Sequence, residues 1–158
     1  MTNIVRHAEP VLPCQGVKLV LADVSGKERD TAEQLGERAG VVAISVDVCK
    51  ADQVKAMIDL AVSEYGGLND LLNVAGAFGK QVDLTDTGDE LFGLMVDINL
   101  RGVFLGMKYA IPHMIERGKG TIVNVASSDV LAASGNSWME LPEAIGMLMA
   151  RPARQHMV

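Results

Sequence analysis

The chain has 158 residues, 49% of them hydrophobic, with a formal net charge of −6 and a pI near 5.0. That is the length of one domain, expected here over 1–158, with a core of its own. The acidic balance argues against nucleic acid or an anionic membrane as partner. No apolar run reaches the roughly 20 residues that span a bilayer, and residues 1–16 carry charges and two prolines where a secretory leader is apolar; the expected location is the cytoplasm.

In chain order, residues 17–23 form a short apolar run ending in Asp23, which reads as a buried parallel strand. Ser25, Gly26, Lys27 and Glu28 have capping-box spacing and open a polar helix to about residue 39, with Ala32, Leu35 and Ala39 as its thin apolar stripe and Gly40 as its stop. Residues 41–46 read as a second strand, closed by Asp47 and Val48. The next helix has the clearest period: Val54, Met57, Ile58, Ala61, Val62 and Tyr65 share one face, and Gly66 and Gly67 end it. A third strand is expected over 68–74, then a polar loop, then a long helix over about 89–116. That helix has Leu91, Leu94, Met95 and Ile98 on one stripe, and Pro112 is expected to kink or break it. Gly118 and Gly120 bracket a turn into a fourth strand over 121–126. Strands that alternate with helices predict right-handed crossovers and a mainly parallel sheet covered on both faces. Residues 142–149 read as one short helix with Pro142 in its first turn.

Several residues stand where strands or helices end and could carry chemistry. Asp23 closes the first strand; a solvated turn residue is the plain alternative. Asp47 follows the second strand and is also placed to cap the following helix. Asn73, Val74, Ala75 and Gly76 follow the third strand, where small residues let a ligand approach the backbone, or simply make a turn. Asn99 lies inside the long helix, an unfavourable place that wants a reason unless the side chain is merely exposed. Ser128 is the second serine after the fourth strand and could equally cap a loop. Cys14 and Cys49 are far apart and are expected as free thiols of a reducing compartment. His7, His113 and His156 show no ligand spacing, so no metal is expected.

The order and spacing of these residues over 17–128 resemble the short-chain dehydrogenase/reductase family, NAD(P)-dependent oxidoreductases with a single Rossmann-type domain. The resemblance implies a three-layer α/β/α fold and hydride transfer between NAD and a secondary alcohol or ketone. It implies that Asp23 accepts the ribose hydroxyls and repels the extra phosphate of NADP, so NAD is the expected cofactor. It gives the Asp47 side chain and the Val48 backbone an adenine contact, and Asn73, Ala75 and Gly76 a place against the cofactor. Asn99 would help hold a water of a proton relay, and Ser128 would polarise the substrate oxygen. Family members commonly pair through the long helix, here around 91–114, so a homo- or hetero-oligomer is expected.

The departures are as informative. Val74 replaces an Asn of the family pattern, and residues 1–16 hold one glycine where the family has a Gly-rich phosphate loop. Leu141 and Ile145 occupy the places of the family's Tyr and Lys, the pair that exchanges a proton near neutral pH. The family's first strand, central between those at 17–23 and 68–74, has no counterpart, since residues 3–6 are too short and too close to Val17. The expectation is therefore an impaired or inactive family member. The alternatives are a catalytically silent dinucleotide-binding or interaction protein, or a truncated or frame-shifted product.

Overall fold

The computed structural model describes residues 16–35, 40–77 and 84–125. The elements alternate as expected: β1 (Leu19–Asp23), α1 (Lys27–Leu35), β2 (Val41–Ser45), α2 (Ala51–Tyr65), β3 (Asp70–Asn73), α3 (Asp89–Val96), α4 (Gly102–Glu116) and β4 (Thr121–Asn124). A 3₁₀ turn at Leu84–Asp86 precedes α3, and a π-helical segment at Asp97–Arg101 joins α3 to α4. The short helix read at 142–149 lies outside the described residues.

The strands pair in parallel, β1 with β2 and β3 with β4, with Asp23 opposite Ser45 and Asn73 opposite Asn124. The two pairs are not hydrogen-bonded to each other among the described residues. Residues 1–15, where the family's first strand would be sought, lie outside the described residues. Helix α2 leaves β2, packs on β1 and against α4, and leads into β3. The chain thus turns back across β1 before it builds the second pair.

Burial explains what holds the halves together. Val54, Ile58 and Ala61 of α2 are buried, four and three residues apart, as the period of the sequence requires. Ile58 joins Leu71 of β3 with Ala110 and Met114 of α4 in one cluster; Val54 joins Val46 and Leu105 in a second. Met57 and Tyr109 pack against both clusters, so α2 and α4 form one apolar layer across the two strand pairs. Gly66 ends α2 with φ 74° and its N–H on the Val62 carbonyl.

Several expectations about helices are corrected. Helix α1 starts at Lys27 and buries Glu28 and Thr31, while Ala32 and Leu35 are only half-buried and Ala39 lies outside the described residues. The capping box does not form, because the N–H of Ser25 donates to Asp23 Oδ1 at 2.8 Å. The long helix is irregular at Asp97–Arg101 and runs unbroken through Pro112. Pro112 is on the exposed side, where solvent can reach the carbonyl it leaves free. Leu94 is 50% exposed because the buried line runs through Met95 and Asn99, four residues apart and one position aside.

Candidate functional site

All four strands are parallel within their pairs, so their carboxyl ends deliver Asp23, Asp47 with Val48, and the segment from Asn73 to Ala77 to loop positions. In an open α/β sheet, ligands bind outside these carboxyl ends, where the chain reverses its travel through the sheet.

Asp23 is half-buried at the end of β1. Burial raises the pKa of its carboxyl, but the hydroxyl and N–H of Ser25 outweigh this and hold it below the ordinary value of 3.8. Its carbonyl accepts the N–H of Val46 at 3.1 Å, so the backbone is fixed to β2. The carboxylate is therefore ionised at neutral pH and anchored by a strand.

Asp47 shapes the turn that follows β2. Its Oδ1 accepts the N–H of Cys49 at 2.9 Å, and its own N–H donates to Gln53 Oε1 at 2.8 Å. It is not the N-cap of α2; Lys50 is, without a side-chain cap bond. Val48 meets the start of α4, where a Cβ on Gly102 would come within 3.0 Å of the valine. The Cys49 thiol is pushed up to about 11, by burial first and then by the adjacent Asp47 carboxylate.

The segment after β3 is held from two sides. Asn73 Nδ2 donates to Asn124 Oδ1 at 2.7 Å across the strand pair, and Asn124 Nδ2 approaches the Met107 sulfur at 3.8 Å. Gly106 of α4 lies so close that a Cβ there would stand 2.5 Å from Asn73 Oδ1. Asn99 holds the other end. Its Oδ1 accepts the Ala77 N–H at 2.9 Å and its Nδ2 donates to the Ala77 carbonyl at 3.0 Å. Asn99 is 5% exposed, so the exposed-residue alternative is excluded; both polar atoms of its amide serve one backbone residue. The π segment makes this placement, closing with the Gly102 N–H on the Asp97 carbonyl. Ala75 and Gly76, between the two anchors, are exposed and carry little or no side chain, so a ligand can reach their backbone. Ser128 lies outside the described residues.

The family model described as enoyl-(acyl carrier protein) reductase matches residues 9–144. The chain belongs to the short-chain dehydrogenase/reductase family. The match begins before Val17 and runs past Ser128. Among curated relatives, zerumbone synthase of Zingiber zerumbet is 36% identical over 123 residues, covering 76% of this chain and 46% of the relative. A 3-alpha-(or 20-beta)-hydroxysteroid dehydrogenase of Mycobacterium bovis is 34% identical over 121 residues, covering 76% and 45%. The chain thus spans about half the length of the curated relatives it matches. Among solved structures, 3-ketoacyl-(acyl-carrier-protein) reductase from Brucella melitensis, complexed with NADH, superposes with a TM-score of 0.81 at 26% identity, over 90% of this chain and 61% of that one. The fold is therefore the Rossmann-type α/β fold of these reductases.

Within this short-chain dehydrogenase/reductase, the two tyrosines have structural places. The Tyr65 hydroxyl donates to the Gly40 carbonyl at 2.6 Å and lies 3.2 Å from that of Leu19. Those carbonyls are at the amino ends of β2 and β1, the opposite end of the strands from Asp23. Tyr109 packs among the apolar side chains under the strands, with Lys108 Nζ 5.5 Å from its ring centroid. No described helix is long and apolar enough to cross a membrane.

Two features were not read from the sequence: the π segment and the burial of Glu28. The mid-helix Asn99 was the available signal for the first, since a costly residue there implied a partner. The failed capping box explains the second, because it depends on which carboxylate takes the Ser25 N–H.

Proposed function

We propose that this chain carries the cofactor-facing half of an NAD-dependent oxidoreductase site acting between a secondary alcohol and a ketone, and that the chain alone does not turn over at ordinary rates. The observation that supports this most is the pair of fixed features at the strand ends: the ionised Asp23 and the small-residue loop pinned by Asn99. These fit a dinucleotide. Asp23 would accept two ribose hydroxyls, and a 2′-phosphate placed against it would be repelled. Asp47 and Val48 would border the adenine edge, and the backbone around Asn73, Ala75 and Gly76 would face the sugar and nicotinamide side. NAD, when bound, supplies the hydride acceptor; the protein positions it.

Proton transfer is the weak part of the design. Asn99 gives its amide oxygen and one amide N–H to Ala77, so its side chain orders the loop. Ser128 would polarise the substrate oxygen, while Leu141 and Ile145 supply neither an acid nor a base. A silent binding or interaction protein is the second reading. It is favoured by Phe92, Leu94 and Phe104, which are 49%, 50% and 43% exposed along α3 and α4 and would suit pairing through the helix around 91–114.

Calorimetric titration of the chain with NAD and NADP tests the cofactor reading. NAD is expected to bind more tightly, and Asp23→Ala to narrow the difference. Tighter NADP binding by the unsubstituted chain would remove the role given to Asp23. Folded protein that binds neither would leave the second reading, which sedimentation of the chain and of Phe104→Glu would then examine.

A further inference from the structure

The turn from β1 into α1 holds one backbone donor and two carboxylates that could take it. The Ser25 N–H donates to Asp23 Oδ1 at 2.8 Å. Glu28 is 0% exposed, and neither of its oxygens has a hydrogen-bond partner. In a capping box, the acid three residues beyond the cap reaches back to the cap residue's own N–H. Glu28 stands at that spacing from Ser25, and Asp23 holds the donor instead. Between them Gly26 has φ 83° and open space where a Cβ would be. Glycine passes between the left-handed and helical regions at little cost, and a helical Gly26 would begin α1 one residue earlier, with Ser25 as its cap.

The rest of α1 does little to oppose such a change. Besides Glu28 the helix buries only Thr31, whose hydroxyl donates to the Lys27 carbonyl at 3.0 Å. No fully buried apolar side chain clamps this nine-residue helix, whereas α2 has Val54, Ile58 and Ala61. Helices this short depend on packing to persist. The Asp23 backbone would stay in place, since it pairs in register with Ser45 and accepts the Val46 N–H. Only the carboxylate and the turn need move.

We propose that residues Asp23, Ser25, Gly26 and Glu28 form a two-state switch in which the Ser25 N–H passes from Asp23 to Glu28 when a ligand engages the Asp23 carboxylate, with Gly26 as the hinge. The identity of that ligand, the ribose of NAD, rests on the function proposed above; the exchange itself is a property of the free chain. In the state described, Glu28 forgoes its hydrogen bonds in a buried place, which favours the alternative. The bond from Ser25 to Asp23 favours the present state. Ribose hydroxyls donating to Asp23 would replace Ser25, and the balance moves by that difference in interaction alone.

The test is residue-resolved amide exchange of the full chain by NMR. Gly26→Ala penalises the left-handed turn and favours the helical one. It is expected to slow exchange of the α1 amides, Lys27–Leu35, by about tenfold or more while leaving α2 unchanged. Glu28→Ala added to Gly26→Ala should abolish the gain, and Glu28→Gln, which keeps an acceptor oxygen, should retain it. NAD added to the unsubstituted chain should give the same local protection. If Gly26→Ala speeds α1 exchange whether or not Glu28 is present, simple strain explains it and the switch is overturned. If the Gly26→Ala gain needs Glu28 but NAD changes no amide, the switch stands and the NAD reading fails.

Discussion

At the scale of single residues, the strand ends are set by which atom takes which proton. Cys49 shows this most measurably. Burial and the neighbouring Asp47 raise its thiol to about 11 from an ordinary 9.0. The thiolate fraction near neutral pH, and with it alkylation by iodoacetamide, should be lower than that of a free thiol by about 100-fold. Peptide mapping against Cys14 separates the two sites, and Asp47→Asn should speed the reaction at Cys49. The sign for stability follows from the raised value: the contribution is intact below the unfolded pKa and is lost as pH rises from 9.0 towards 11. Unfolding curves that hold steady across that interval relative to Cys49→Ser would contradict the assignment. Asn99 offers a second test. Asn99→Ala removes both bonds to Ala77 and should lower stability by roughly 1–3 kcal/mol in urea unfolding. Asn99→Asp should do no better, because a carboxylate oxygen would then face the Ala77 carbonyl.

At the scale of elements, α4 is fitted to β3 through a position with no side chain. A Cβ on Gly106 would stand 2.5 Å from Asn73 Oδ1, and Asn73 also bridges to Asn124 at 2.7 Å. Gly106→Ala must therefore push the helix from the strand or break that bridge, at a cost of about 1–3 kcal/mol. A midpoint in urea equal to that of the unsubstituted chain would show that α4 yields freely. The contrast between α1 and α2 belongs here too. Both were legible as helices, but only α2 had a period strong enough to fix its buried face; in α1 the inner positions went to Glu28 and Thr31. An apolar stripe of Ala32, Leu35 and Ala39 is too thin to outweigh the local competition for the Ser25 N–H.

At the scale of the whole molecule, the chain joins two parallel strand pairs through one layer of helices. Leu72 and Val123 remain 49% and 46% exposed on the strand pair they share. Purified chain assayed with NAD and a panel of secondary alcohols is expected to give activity near background, since loss of one general acid–base group alone typically lowers rates by about 10²–10⁴-fold. Turnover on the order of 1 per second or more, abolished by Ser128→Ala, would show that another residue serves as the base.

The sequence by itself determined the family and the alternation of strands and helices. These follow from periodicity, punctuation by glycine and the order of elements, all of which are local or cumulative along the chain. Tertiary structure alone decided the partners of single polar groups. Asn99 is a loop anchor because a π segment turns it toward Ala77, Tyr65 ties the far ends of β1 and β2, and Glu28 is left alone because Asp23 reached Ser25 first. Each of these depends on distances between atoms far apart in sequence, or on competition between two near ones, and neither leaves a mark in spacing.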